Sequence, residues 1–269
     1  IDDIVAADGN MIVTLMIPGA ASGLDDYKKT VKVKVINLLS TLTVKFVNEA
    51  DEEMPAYTLT ITEMNGEKLV VSDKVDLTDP QHGVTTKLEN LEAAGFEIVE
   101  RPAKETEFYL DNTAVTAIYK VKGLVYLSSA PNSINFGTVT YDATVKRVDN
   151  GVYDQDLVVN DTRVTKTKWL LGAKVMSQMT NTEDSSVKLI DSLQYVNGDE
   201  TIILNDGLQN IYQASETPEE NSGVTNISDT WGQTKESNGI KLVVDPSKSK
   251  VLQGQYTGEI EWQFMEATP

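Results

Sequence analysis

The run Tyr256-Thr-Gly-Glu-Ile-Glu-Trp-Gln-Phe264 alternates without a break. Tyr256, Gly258, Ile260, Trp262 and Phe264 share one parity, and Thr257, Glu259, Glu261 and Gln263 share the other. Successive side chains of a strand point to opposite faces, so this period of two predicts a β-strand with one buried face. The run ends shortly before Pro269 and reads as a natural C-terminus. Val31, Val33 and Val35 alternate with Lys32 and Lys34 in the same way, the pattern of a half-exposed strand. Short strand-like runs separated by polar turns fill residues 123–269, with Asp149-Asn-Gly151, Asn197-Gly198 and Asn205-Asp-Gly207 as turn signals. Regular short strands between such turns predict a β-sandwich.

Three segments follow. Residues 1–40 hold two strand-like runs, Met11–Ile17 and Thr30–Ile36, and read as the end of a preceding β domain or as accessory strands. Residues 41–122 form a small β-rich unit, with strands at 42–47, 57–62, 95–99 and 113–119. Thr86–Ala94 there predicts one short amphipathic helix, with Leu88 and Leu91 on one face and Gly95 as its stop. Lys120–Gly123 reads as a short junction, and 123–269 as the sandwich. Ser215–Gly223, with Glu216, Pro218, Glu219 and Glu220, reads as an exposed, mobile loop. The fold class is therefore mainly β: a C-terminal β-sandwich after a small β-rich domain with at most one short helix.

Composition removes whole function classes. The chain of 269 residues has no cysteine, which fits a cytosolic protein or a bacterial exported one and excludes thiol nucleophiles and thiolate metal sites. Its net charge of −18 is spread along the chain, with no basic patch to meet nucleic acid. No stretch is apolar for long enough to span a bilayer. No signal peptide or sortase-type anchor is seen in the sequence, so for an exported protein attachment is expected to be non-covalent or to come from elsewhere.

Few residues suggest catalysis. The single histidine, His82, lies in the turn Asp79-Pro-Gln-His-Gly83 and reads as a turn residue. No Gly-x-Ser-x-Gly elbow, phosphate-cradling loop or dinucleotide fingerprint is present. A glycosidase needs only two carboxylates, and nothing ranks one pair above another. Asp149-Asn-Gly-Val-Tyr-Asp-Gln-Asp156 offers hard oxygens for calcium without EF-hand spacing. Apart from that candidate, no cofactor or metal is expected. Asp161 and Arg163 share a face of an extended chain and are read as a clasp or as contacts to wall carboxylates or phosphates.

The tryptophans carry the remaining signal. Trp169-Leu-Leu171 and Trp262-Gln-Phe264 follow core-like parity, Trp169 with Leu171, Ala173 and Val175. Burial is expected for both, because large aromatics dominate sandwich cores. Trp231, in the polar stretch Ser228-Asp-Thr-Trp-Gly-Gln-Thr234, is expected to be the most exposed of the three. Candidate exposed contacts are Trp231, Arg163, Asp161 and Tyr256.

The order of these pieces resembles the WxL domain of Gram-positive bacterial surface proteins. Ile134–Val139 resembles that family's opening strand, and Val159-Asn-Asp-Thr-Arg163 its Asp-x-Arg turn. Trp169-Leu-Leu171 resembles its first Trp-x-Leu motif. Trp231 with Gly239–Leu242 resembles the approach to its last strand, and Tyr256–Phe264 that strand itself. The likeness spans about residues 123–269, with Phe264 standing where the family has leucine. Residues 41–122 resemble MucBP repeats through Val44-Lys45-Phe46, Gly95-Phe96 and Ala117-Ile118-Tyr119, which implies a β-grasp-like fold.

The resemblance implies an extracellular, non-enzymatic protein held non-covalently to peptidoglycan or another cell-wall glycan. The family-motif residues Trp169, Leu171, Trp262 and Phe264 would serve as wall contacts or as core, and the middle unit as a stalk or adhesive module toward host glycans. The rival readings are a protein–protein module for companion surface proteins, through edge addition to the last strand, and a carbohydrate-active enzyme.

Overall fold

The computed structural model describes residues 5–7, 10–17, 27–34, 39–111, 115–214 and 223–265. The fold is mainly β, with one α-helix among the described residues. The chain divides into two compact units, one of residues 1–93 and 98–121 and the other of 94–97 and 122–269.

The first unit opens with an antiparallel three-stranded sheet of β1 (Val5–Ala7), β2 (Asn10–Ile17) and β3 (Tyr27–Lys34), in that order. Much of the turn expected between the first two runs lies outside the described residues. A second sheet uses β4 (Leu42–Val47) and β5 (Leu59–Ile61). The short hairpins and bridges β6 (Glu63–Met64), β7 (Glu67–Lys68) and β8 (Lys74–Val75) follow, then α1 (Val84–Ala93), β9 (Phe96–Glu100), β10 (Phe108–Tyr109) and β11 (Val115–Gly123). The sheet order is β5-β4-β11-β9, and β11 runs parallel to β4 from Val115 opposite Leu42 to Lys120 opposite Val47. A first and a last strand lying parallel at the centre of the sheet, with one helix between the flanking strands in sequence, is a β-grasp arrangement.

The inward parity of the central pair explains the core. Leu42, Val44, Phe46, Ala117, Tyr119 and Val121 are buried, and α1 buries Val84, Leu88 and Leu91. Phe46 and Tyr119 stack with ring centroids 5.3 Å apart, and the Tyr119 hydroxyl donates to Glu105 at 2.7 Å. The helix starts two residues before the expected Thr86, at Val84, because Gly83 in the left-handed region (φ 71°) ends a Pro80–His82 turn and lets Val84 enter the core. His82 sits buried in that turn. Lys120–Gly123 continue β11, with Val121 and Gly123 buried, and the boundary between the two units falls between Val121 and Lys122.

The second unit contains β12 (Val125–Ser129), β13 (Ile134–Asn135), β14 (Lys146–Val148), β15 (Val152–Tyr153), β16 (Val158–Asp161) and β17 (Leu170–Asn181). It continues through β18 (Lys188–Leu189), β19 (Leu193–Asn197), β20 (Glu200–Ile203), β21 (Gln209–Gln213), β22 (Val224–Asn226), β23 (Gly239–Val244) and β24 (Tyr256–Met265). One sheet has the order β14-β23-β19-β20. In the other, β17 pairs with β21 and β18 along one edge and with β24 along the opposite edge. Inward residues of both sheets, Leu171, Ala173 and Val175 with Leu193, Tyr195, Ile240 and Leu242, form one buried cluster. That is a sandwich core. A small sheet, β12-β16-β22, adds Leu157 and Val159 to it.

Of the expected opening strand Ile134–Val139, only Ile134–Asn135 pairs, with β15. The expected loop at Ser215–Gly223 lies, except for Gly223, outside the described residues. Leu171→Ala removes a fully buried side chain beside the longest strand pair. It should cost about 2–5 kcal/mol in urea unfolding of the full chain, read as a shift in midpoint with little change in slope.

Candidate functional site

The ladder between β17 and β24 places the two tryptophan motifs side by side. Leu171 lies opposite Phe264 and Ala173 opposite Trp262. Phe264 packs edge-on to Trp169 at 5.9 Å, and Tyr212 stacks on the same indole at 5.3 Å. Trp169 is only 5% exposed, so it belongs to the core and offers no face to a ligand. Trp262 differs. It is half-buried and lines a cleft of about 190 Å³ with Ile260, Glu259, Phe136, Asn132 and Ser133. A dry cavity of about 150 Å³ accommodates benzene, so this cleft is large enough for one aromatic or sugar ring.

Trp231, expected to be the most exposed tryptophan, is half-buried, as Trp262 is, with the two indoles 6.3 Å apart. Its ring meets Tyr153 edge-on at 5.2 Å, and its indole N–H donates to the Tyr195 hydroxyl at 3.4 Å. The aromatic environment outweighs the polar sequence around it. The ring also lies over Gly239, which has φ 117° and where a Cβ would sit 3.0 Å from the indole. Lys241, two residues on, is 0% exposed. Its ammonium donates to the carbonyls of Asp149 (3.1 Å), Gly232 (2.7 Å) and Thr234 (3.1 Å) and to the Ser237 hydroxyl (3.1 Å). Burial pushes this amine below the usual lysine range, against the opposing charge of Asp149. The cage fixes the loop that follows Trp231.

The opposite wall is set by Asp154. Its carboxylate accepts from the backbone N–H of Ser133 (3.1 Å) and of Asn132 (3.0 Å) and from the Asn132 side-chain amide (3.3 Å). The Ser133 N–H and these other donors outweigh desolvation and hold its carboxyl below the ordinary range. The Gln155 amide donates to the Ala130 carbonyl. Segment 130–136 is thereby held next to β24, with amide and hydroxyl groups at the rim and Ile134 and Phe136 inside.

Three residues expected as exposed contacts, Asp161, Arg163 and Tyr256, hold local structure. Asp161 is 3% exposed and takes the Arg163 guanidinium in a fork, at 2.9 Å to Nε and 2.7 Å to Nη2. Arg163 also donates to Thr167, closing the loop ahead of Trp169. Burial would raise the Asp161 carboxyl, but the Arg163 side chain and N–H and the Lys166 charge overcome it and leave it lowered. The Tyr256 hydroxyl donates to the Leu252 carbonyl at 3.0 Å and accepts from its N–H at 2.9 Å, a tyrosine-corner contact at the start of β24. The acidic run 149–156 does not converge on one point. Asp149 takes Arg147 at 2.6 Å, Asp154 takes the 132–133 turn, and Asp156 takes Asn226 at 2.9 Å. Among the described residues, no three or more His, Cys, Asp or Glu side chains come together.

Sequence reasoning missed Asn132, Ser133, Phe136, Met179 and Lys241. The lone lysine inside the apolar run Gly239-Ile-Lys-Leu-Val-Val244 was the available signal, because a charge there must be paired or caged. Replacing it by methionine should remove this donor from the buried Asp149 and Gly232 carbonyls, while Thr234 keeps the Ser237 hydroxyl. Lys241→Met is expected to cost at least about 2 kcal/mol and to red-shift the tryptophan emission as Trp231 loosens, read by fluorescence and urea unfolding. Asp161→Asn should cost roughly 3–5 kcal/mol at neutral pH. A lowered folded-state carboxyl contributes stability above the unfolded value of about 4 and loses it as pH falls through the folded one, so the gap to wild type should close below about pH 4 in pH-dependent unfolding.

No protein-family model matches the chain, and no curated protein does. Among solved structures, the chain aligns over its full length with 78% of a chain from the structure titled "Chaperone-tip adhesin complex is vital for synergistic activation of CFA/I fimbriae biogenesis". The identity is 11% and the TM-score 0.27, a likeness that carries no argument about fold or function.

Proposed function

We propose that the chain is a non-enzymatic bacterial surface protein whose second unit attaches it non-covalently to cell-wall glycan, with the first unit as stalk or adhesive module. The cleft beside Trp262 carries this reading. It offers an indole face for the C–H face of a sugar, an apolar interior at Phe136 and Ile260, and amide and hydroxyl groups at the rim from Asn132 and Ser133. The resemblance of residues 123–269 to the WxL family supports the same assignment and names peptidoglycan as the ligand. Among the described residues no helix is long and apolar enough to cross a membrane.

Electrostatics constrains the mode of binding. A chain at −18 is repelled by anionic wall polymers, although screening confines this to about 8 Å at physiological salt. Attachment therefore rests on the shape and polar groups of the cleft and tolerates salt. A second reading, a module for companion surface proteins, is favoured by one observation: β24 pairs only with β17 among the described residues, leaving its other edge open.

Sedimentation with purified, protein-stripped cell walls separates the readings. The full chain should pellet with the walls, with less than twofold change between about 0.15 and 0.5 M salt. Trp262→Ala should weaken pelleting at least tenfold while shifting the melting temperature less than Leu171→Ala does. A chain that stays in the supernatant while binding a surface protein supports the second reading. Release of reducing sugar from wall fragments overturns the non-enzymatic assignment.

A further inference from the structure

Chain connectivity decides which strands carry tension through the first unit. A pull that enters ahead of Leu42 and leaves after Gly123 acts on β4 at its first residue and on β11 at its last. These strands are neighbours at the centre of the sheet β5-β4-β11-β9. They run parallel, with six residue pairs in register from Leu42 opposite Val115 to Val47 opposite Lys120. The pull therefore falls on opposite ends of a parallel pair and slides one strand along the other. The evenly spaced ladder bonds of such a pair then share the load and must yield together. A pull on the same end of both strands opens the same bonds one after another.

We propose that the first unit bears mechanical load, with the ladder between β4 and β11 as its clamp. Leu42, Val44 and Phe46 on β4 and Ala117, Tyr119 and Val121 on β11 are at most 1% exposed. One face of the ladder is thus closed to the water that would take over a broken hydrogen bond. Phe46 and Tyr119 lie directly opposite each other and stack across the two strands. A slide of one residue cannot pair again without turning every inward side chain outward. The nearest register that keeps the faces is two residues, about 7 Å, away. On the outer face Lys45 pairs with Glu53 at 2.9 Å and Lys120 with Asp51 at 2.6 Å, which ties both strands to the turn that follows β4.

A unit in series between an anchored end and a bound partner carries the whole tension, and its lifetime under load is an unfolding rate and not an equilibrium stability. Load bearing goes beyond the attachment assigned to the second unit. It rests on the order and direction of strands in the first unit alone, and it stands whether or not cell walls pellet the protein.

The direction of pulling tests it. The chain has no cysteine, so two introduced cysteines give unique attachment points on the full chain. Thr41→Cys with Lys122→Cys loads opposite ends of the pair, and Thr41→Cys with Thr116→Cys loads the same end; all three positions are exposed. In single-molecule force spectroscopy at one pulling speed, the first variant should unfold at a force at least about twofold higher than the second. Only ruptures that release the full length of chain between the attachment points are compared, so molecules that are not folded do not enter. Matching urea midpoints for the two variants assign the difference to direction and not to stability. Equal forces in the two directions, or a lower force for the first variant, overturn the proposal.

Discussion

Everything that distinguishes the second unit depends on the ladder between β17 and β24. β17 is twelve residues long and, among the described residues, pairs with every other strand of its sheet. Its inward residues Leu171, Ala173 and Val175 meet the opposite sheet, and its pairing with β24 sets which aromatic faces which. Ala173 lies opposite Trp262, so the indole has no bulky cross-strand neighbour on that side. Leu171 lies opposite Phe264, which in turn packs on Trp169. The same ladder therefore seals one tryptophan into the core and leaves the other on a cleft. Bulges fall on β17 near Ser177, where its numbering runs ahead of the partner, and there Gly258 of β24 is exposed in spite of its apolar parity.

Buried polar groups do the second part of the work by fixing loops that the sheets alone leave undetermined. Lys241 takes the place a water or cation would fill between three carbonyls and a hydroxyl, and so holds the Gly232–Ser237 loop beneath Trp231. Asp161 and Arg163 close the loop before Trp169, and Asp154 shapes the 130–136 segment. Each of these groups is satisfied by several partners. In a low-dielectric setting that makes the loop geometry stiff, because removing one partner strands the rest. A cleft with stiff walls loses little entropy when a ligand enters it.

Much of the fold was legible because periodicity is a local property. The alternation in Leu42–Val47 and Tyr256–Phe264 and the helical spacing of Leu88 and Leu91 reflect the geometry of a strand or helix, which no distant residue alters. The candidate site was less legible. Parity correctly reads Trp262 as facing inward, but it carries no information on whether the sandwich is closed over that position. That is decided by Pro131–Phe136, more than a hundred residues away in sequence. Trp231 is half-buried in a setting its own neighbours do not announce. Its neighbours Ser228, Asp229 and Thr230 are polar, yet Tyr153, Tyr195 and Trp262 gather round it.

The sequence by itself determined the class of fold, the strand that ends the second unit, and the residues on each of its faces, since these follow from chain geometry and the burial of apolar surface. Only the tertiary structure decided which tryptophan is core and which borders a cleft, that Asp161 is a clasp, and that a lysine is caged at full burial. Those outcomes depend on which loops and strands meet across long sequence separations, and pairing of that kind leaves no period in the chain to read.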